Sequence, residues 1–124
     1  MTSKEIQGVF AADKSKQYEY FIKKVADFEE VWSLKDDEGW ATLGLEDREY
    51  FPVWPTREMA QLCAEEEWAS YYPESIELEE FLTEWLSGLQ EDNIRVTVMW
   101  HSGEGIDPDW ERLKADIENE LEKY

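Results

Sequence analysis

The stretch LEEFLTEWLSGLQEDNIRVTVMWH, residues 78–101, decides the fold, because its apolar residues change their spacing halfway along it. Up to Leu89, large apolar residues recur three and four positions apart with glutamates between them, which is typical of an amphipathic helix. From Ile94 to Trp100, apolar residues occupy every second position, which is typical of a half-buried strand. A helix that leads into a strand predicts an α+β protein.

The preceding half of the chain shows both patterns again. Residues 15–28 carry an apolar stripe at helical spacing and predict a helix. Three short β-favouring runs follow at residues 31–34, 40–43 and 50–54, separated by polar turns, and they predict a three-stranded meander. Pro52 lies in the third run and cannot donate a backbone hydrogen bond, so we expect an edge position or a bulge there.

Two further helices are marked by the residues at which they begin. Thr56 follows a proline and precedes an acidic turn, which predicts an N-cap and a helix that runs to about Tyr71. Asp107 and Pro108 predict the start of a last helix, whose apolar side continues to Tyr124.

The predicted order of elements is therefore αβββααβα. We expect a three- or four-stranded, mainly antiparallel sheet with helices packed on it, in which the run at residues 94–100 joins the meander. Residues 1–14 are predicted to be a flexible N-terminal tail, and residues 15–124 a single α+β domain.

The chain is strongly acidic, with 31 acidic against 12 basic residues and a formal net charge of −19. Such a charge repels nucleic-acid backbones and anionic lipids and attracts cationic surfaces, so we expect neither direct nucleic-acid binding nor a membrane. Residues 63–124 contain 18 acids and 4 bases, against 13 and 8 in residues 1–62. Between Arg57 and Arg95 there are eleven acids and no base.

The sequence lacks the residues that several classes of site require. Cys63 is the only cysteine and His101 the only histidine, so neither an internal disulfide nor a structural zinc site is expected. A glycine-rich phosphate loop and a nucleophile elbow are also missing, and we expect no cofactor. No apolar run is long enough for a bilayer span or a signal peptide, which predicts a cytoplasmic protein.

Four residues are candidates for binding, and each has a structural alternative. Trp54 and Arg57 flank the start of the second helix, where free backbone amides favour an anion and Trp54 could stack on a ligand, unless it belongs to the core. Glu67 falls within the apolar arc of that helix and is either a functional acid or a structurally bonded one. His101 precedes a glycine-containing loop and is either functional or solvated. We interpret Cys63 as a packed core thiol.

The chain also resembles a known family in several short patterns. The residues that carry the resemblance are Tyr20-Phe21, Val31-Trp32, Gly39-Trp40, Phe51-Pro52-x-Trp54-Pro55, Ala60-x-x-Cys63-Ala64, Trp68 and Phe81-Leu82-x-x-Trp85-Leu86-x-Gly88-Leu89. They are similar to those of a proteobacterial family of unknown function, domain-of-unknown-function family 2750, across residues 18–124. The resemblance implies a bacterial cytosolic origin and carries no catalytic or binding residue over to this chain.

The acidic stretch and the missing catalytic motifs together favour a non-catalytic interaction protein. Its acidic surface would bind a basic protein, as an immunity or inhibitor protein covers a toxin or a nuclease. Two alternatives stay open. One is a small-molecule binder or enzyme with a pocket around Trp54, Glu67 and His101, and the other is a nucleic-acid mimic whose carboxylates imitate phosphates.

Overall fold

The computed structural model describes residues 3–45, 47–65 and 68–123, and their strands form two β-sheets. The elements in chain order are α1 (Ser3–Ala11), α2 (Lys14–Phe28), β1 (Glu30–Asp36), β2 (Gly39–Trp40), β3 (Leu43–Leu45), β4 (Arg48–Val53), α3 (Arg57–Leu62), β5 (Tyr72–Glu77), α4 (Leu78–Glu80), a π-helical turn (Phe81–Trp85), α5 (Leu86–Glu91), β6 (Ile94–His101), β7 (Glu104–Ile106) and α6 (Trp110–Leu121). The α+β class is confirmed.

The two sheets differ in how their strands run. The first has the order β2-β1-β5, and both of its pairings are antiparallel. The second has the order β3-β4-β6-β7, and its central pair, β4 with β6, is parallel. A parallel pair needs a long crossover connection, which here contains α3, β5 and the helical segment from α4 to α5. Pairing is therefore mainly antiparallel, as predicted.

The first predicted hairpin is confirmed, but the meander is not formed. Asp36 pairs with Gly39, and the Asp36 carboxylate accepts hydrogen bonds from the backbone N–H groups of Glu38 and Gly39 at 2.9 and 3.1 Å. After β2 the chain leaves the first sheet, and β3 and β4 form an antiparallel pair in the second. Spacing along the chain identifies strands, but it does not specify which strands pair.

The two sheets meet where β1 passes the end of β4. The backbones of Trp32 and Trp54 exchange two hydrogen bonds, of 2.9 and 2.8 Å, and form an isolated antiparallel bridge. Beside this bridge, Ser33 Oγ donates to the carbonyl oxygen of Pro52 at 2.6 Å. The pairing of β3 with β4 ends at Tyr50, so Pro52 has no β3 residue opposite it. Pro52 has no backbone N–H to donate, and this edge of β4 does not need one.

The predicted first and third helices are confirmed. In α2, Phe21, Ile22 and Val25 are buried, and the Tyr18 hydroxyl donates to Asp116 Oδ2 of α6 at 2.6 Å. Residues 78–91 form one helical segment that contains the π-helical turn, and its buried side chains follow the predicted stripe: Leu78, Phe81, Leu82, Leu86 and Leu89.

The second helix begins as predicted but ends about nine residues before the predicted end near Tyr71. The Thr56 side chain accepts a hydrogen bond from the backbone N–H of Met59 at 3.3 Å, as an N-cap does. However, α3 ends at Leu62, and Tyr72–Glu77 forms β5 instead of following a helix. Each residue of β5 pairs with one in β1, so a long-range ladder makes a strand of a stretch with weak β character.

The structure also differs from the prediction at both ends of the described chain. Where a tail over residues 1–14 was expected, α1 forms, and its Ile6 is buried in the core. The Gln17 side chain donates to the carbonyl oxygens of Phe10 and Ala12 at 3.1 and 2.8 Å, which satisfies groups that the end of α1 leaves open. The last helix begins at Trp110 with Asp109 at its N-cap, two residues later than the predicted start at Pro108 with Asp107 as cap.

A tight turn between β6 and β7 brings Gly105 close to a buried side chain. Ser102 and Gly103 both have positive φ, of 50° and 83°, as in the two-residue turns that join antiparallel strands. Gly105 lies in β7, and a Cβ atom built there would collide with Thr97 Oγ1 of β6 and lie 3.1 Å from the Trp100 ring. Position 105 therefore requires glycine for reasons of space.

We expect Gly105→Ala to lower the free energy of unfolding by about 1–3 kcal/mol, because overpacking forces a buried neighbour to move. Gly44→Ala is the matched control, since a Cβ atom at this strand position meets nothing within 4 Å. We expect its effect to stay within about 0.5 kcal/mol. Urea denaturation followed by tryptophan fluorescence measures both, and equal losses would contradict the close contact.

Candidate functional site

A cavity of about 230 Å³ lies between the end of α3 and the end of β6. The residues that line it are Leu62, Cys63, Glu65, Trp68, Trp100, His101, Ser102 and Gly103. It therefore brings together the only cysteine and the only histidine of the chain, which are far apart in sequence. Because these residues follow a helix on one side and a strand on the other, regular elements position the cavity from two directions.

His101 is held in this cavity by contacts that the sequence did not indicate. Its ring stacks on the ring of Phe10 from α1, with centroids 4.3 Å apart and planes at 13°. Its Nδ1 atom lies 3.3 Å from Ser102 Oγ. The imidazole is half-buried.

The carbonyl oxygen of Trp100 accepts two hydrogen bonds beside the cavity. The Trp54 indole N–H donates to it at 3.0 Å, and Cys63 Sγ donates at 3.1 Å. Burial, and secondarily the charge of Glu65, raises the pKa of the Cys63 thiol to about 12, although a hydrogen bond with Trp54 acts in the opposite direction. The thiol is thus a packed, protonated donor rather than a nucleophile or a metal ligand.

Trp54 lies beneath the cavity and not on the surface. Its side chain is fully buried, and its ring contacts Trp68 edge-on with centroids 6.3 Å apart. Stacking of Trp54 on a ligand, one of the two predicted alternatives, is therefore wrong, because the Trp32 bridge and the Trp100 carbonyl hold it in the core. The other predicted alternative, in which Trp54 belongs to the core, is the one that the structure shows.

Arg57 lies elsewhere, in a wider groove of about 580 Å³. This groove is lined by Glu5, Lys24, Phe28, Glu30, Trp32, Pro55, Thr56, Arg57 and Glu58. Three carboxylates and two cations line it, and the Thr56 hydroxyl already accepts from one amide at the start of α3. An anion bound there would meet more negative than positive charge, so the predicted anion site at this helix start is not favoured.

The predicted pocket of Trp54, Glu67 and His101 is assembled only in part. Glu67 lies outside the described residues. Trp54 and His101 are neighbours through the backbone of Trp100, whereas Arg57 lines a different groove. Within residues 3–45, 47–65 and 68–123, no three His, Cys, Asp or Glu side chains are grouped so that they could hold a metal ion.

Sequence reasoning missed a third surface feature, an open groove on the helical segment around Trp85. It is lined by Glu84, Trp85, Gly88, Leu89 and Asp92 and has a volume of about 310 Å³. Trp85 belongs to the apolar stripe but is only half-buried. Gly88 is the residue from which this groove could have been predicted. A glycine inside a strong helical pattern is unfavourable and often has a packing or functional reason.

The fold and these grooves define an acidic α+β protein. The chain belongs to the family described as Protein of unknown function (DUF2750), whose model matches residues 18–117. The family that the resemblance indicated is thereby confirmed over these residues. No curated protein matches the chain. Across the part of the chain that the structure describes, none of the helices has the length and apolar character needed to cross a membrane.

The protonated state of Cys63 predicts slow reaction with a thiol reagent. Burial raises the pKa of this thiol from 9.0 to about 12, so at about pH 8 the folded protein should react roughly 100-fold or more slowly than the unfolded protein. Since Cys63 is the only cysteine, the colour change of an aromatic disulfide reagent reports it alone. Similar rates with and without urea would contradict the buried thiol.

The same shift predicts a dependence of stability on alkaline pH. Because the folded-state pKa of Cys63 exceeds 9.0, the protonated thiol contributes stability below about pH 9, and this contribution is lost as the pH rises towards 12. We expect the free energy of unfolding to fall across this range more steeply in the unmodified protein than in Cys63→Ala. Urea denaturation at stepwise pH measures both slopes, and equal slopes would show that Cys63 is not responsible.

Proposed function

We propose that this protein is a non-catalytic interaction protein whose acidic surface binds a basic protein. The observation that carries the proposal is the stretch between Arg57 and Arg95, in which eleven acids and no base occur. Much of it folds into consecutive elements, from β5 through the helical segment of residues 78–91. The exposed carboxylates of these elements and of the turn that follows belong to Glu77, Glu79, Glu80, Glu84, Glu91 and Asp92.

The charge of this stretch is not neutralised within the protein. Among the residues that the structure describes, no carboxylate between Arg57 and Arg95 has a basic side chain within 4.0 Å. Ion pairs occur elsewhere, for example between Lys23 and Glu19 at 2.9 Å and between Arg95 and Asp109 at 3.2 Å. The bases in these ion pairs thus compensate acids outside the stretch, and the field of the stretch extends into solvent.

A field of this kind favours one type of partner. It attracts a cationic protein surface, accelerates the encounter and makes binding sensitive to salt. Enzymes that act on nucleic acids carry such surfaces, because they must bind phosphates. We therefore propose a role like that of an immunity or inhibitor protein, which covers the basic surface of a toxin or nuclease.

A small-molecule function has less support from the groups around the cavity. Of the residues predicted for such a pocket, Trp54 is buried and Cys63 beside it is protonated, which leaves His101 as the accessible titratable group with Glu65. The only candidate pair among the described residues of the cavity is Ser102 Oγ beside His101 Nδ1, 3.3 Å apart, and this contact is exposed to solvent. The interaction function needs only the surface charge.

The proposal predicts salt-sensitive capture of a basic protein. The immobilised protein should retain one from a lysate of the encoding organism at low salt and release it as the salt concentration rises. Replacing Glu77, Glu79 and Glu91 by glutamine should lower the salt concentration at which this protein elutes, because three unpaired charges are lost. Gel analysis and mass spectrometry of the fractions identify the protein and its elution point.

The matched control removes three exposed acids from other parts of the surface, Glu49, Glu118 and Glu122. This variant has the same net charge, and its elution point should stay close to that of the unmodified protein. Retention of no basic protein at low salt would contradict the proposal. Equal shifts of both triple variants would also contradict it, since they would indicate non-specific attraction by net charge.

A further inference from the structure

We propose that the groove around Trp85 receives an arginine side chain of the basic partner. This inference rests on the proposed function and names the point at which the partner would be anchored. The groove, called here the Trp85 groove, is formed by Glu84, Trp85, Gly88, Leu89 and Asp92 and holds about 310 Å³. It combines an aromatic ring with carboxylates on the most acidic part of the chain.

The π-helical turn gives Trp85 its orientation. In a regular α-helix, residues five positions apart point about 140° away from each other. In the turn Phe81–Trp85, however, the backbone N–H of Leu86 bonds to the carbonyl of Phe81, five residues earlier. The extra residue aligns Glu80 with Trp85, and the Trp85 indole N–H donates to Glu80 Oε2 at 3.0 Å. π-helical turns are frequent at functional sites.

Two further aromatic rings hold the Trp85 ring from inside. Phe51 of β4 stacks on it with centroids 5.3 Å apart and planes at 28°, and Trp40 of β2 meets it edge-on at 5.1 Å. The ring is therefore fixed on the inner side while it lines the open groove with its remaining surface. A fixed ring loses little conformational freedom when a ligand binds, which favours affinity.

Gly88 keeps the groove open. It follows Trp85 by three residues, so a side chain at this position would lie beside the ring on the same helix face. A Cβ atom at Gly88 meets no atom within 4 Å, so the fold itself would accept a side chain here. Glycine is nevertheless present, although it is among the least favourable residues inside a helix. The space next to Trp85 is thus free because this residue is small.

The rim of the groove supplies the negative charge. Glu84 and Asp92 are exposed, and no described basic side chain lies within 4.0 Å of either carboxylate. A guanidinium group stacks on the face of tryptophan and bonds to carboxylates with its planar N–H groups. An arginine side chain therefore matches both the floor and the rim. A second copy of this chain would bring the same net charge of −19 and is disfavoured by repulsion.

A titration with N-acetyl-arginine amide tests the groove without the partner. We expect saturable shifts of the Trp85 indole and Gly88 backbone resonances in ¹⁵N correlation spectra of the labelled protein. N-acetyl-lysine amide should bind more weakly, because its ammonium group does not stack as a plane. No saturable shift at these two positions, or shifts of equal size beside every exposed carboxylate, would overturn the proposal.

Gly88→Met fills the groove without disturbing the fold. Since a helix former replaces glycine in open space, we expect a melting temperature at or above that of the unmodified protein. Its affinity for the arginine probe should fall roughly 5- to 10-fold, because a cation on a tryptophan ring contributes at about this level. An unchanged affinity in this folded variant would overturn the proposal.

The double variant Glu84→Gln with Asp92→Asn tests the rim. Its affinity for the probe should also fall, whereas the control Glu49→Gln with Glu118→Gln, which loses the same charge, should bind as the unmodified protein does. Equal effects of the two pairs would overturn the proposal. Because the probe is a single amino-acid derivative, these results are independent of the capture experiment, and failure of one is distinguishable from failure of the other.

Discussion

The two sheets depend on one local connection, the pair of backbone hydrogen bonds between Trp32 and Trp54. Neither residue belongs to a ladder between the sheets, so this bridge and the adjacent bond from Ser33 to Pro52 set where they meet. With its backbone fixed there, Trp54 directs its indole N–H at the carbonyl of Trp100. The same carbonyl accepts from Cys63, and the cavity beside His101 follows from this arrangement.

Burial and charge are separated along the chain. Most aromatic rings pack into one cluster of buried and partly buried residues, while the described carboxylates between Arg57 and Arg95 lie outside it without basic partners. Such separation leaves large negative charge on the surface of a small protein, which lowers the stability of the compact state by self-repulsion. A cationic partner would relieve this repulsion, so the same feature that costs stability favours an interaction function.

Local features of the sequence predicted what depends on neighbouring residues. The apolar stripes of α2 and of residues 78–91, the Thr56 cap and the hairpin at Asp36 all formed as expected. Features that depend on distant residues were missed or misplaced. Tyr72–Glu77 is a strand because β1 pairs with it, and α1 packs because Phe10 meets His101, about ninety positions away.

The candidate sites also depend on contacts between distant residues, and the sequence predicted them only in part. One predicted alternative grouped Trp54, Glu67 and His101 in a pocket, and another placed Arg57 beside Trp54 at an anion site. The backbone of Trp100 links Trp54 to His101, whereas Arg57 lines another groove. Two tryptophans show that residue spacing does not predict exposure. Trp54 was predicted either to stack on a ligand or to belong to the core and is fully buried, whereas Trp85 belongs to a core stripe and lines an open groove. The depth of each ring depends on which elements cover it, and residue spacing does not contain that information.

By itself, the sequence determined the helix and strand segments with strong periodicity, the uneven distribution of charge and the family to which the chain belongs. These properties need only neighbours along the chain or a count of residues. Tertiary structure alone decided the division into two sheets, the parallel pairing of β4 with β6 and the exposure of each aromatic side chain. The physical reason is that pairing and burial are set by contacts between distant segments, whose free energy depends on the whole packed arrangement.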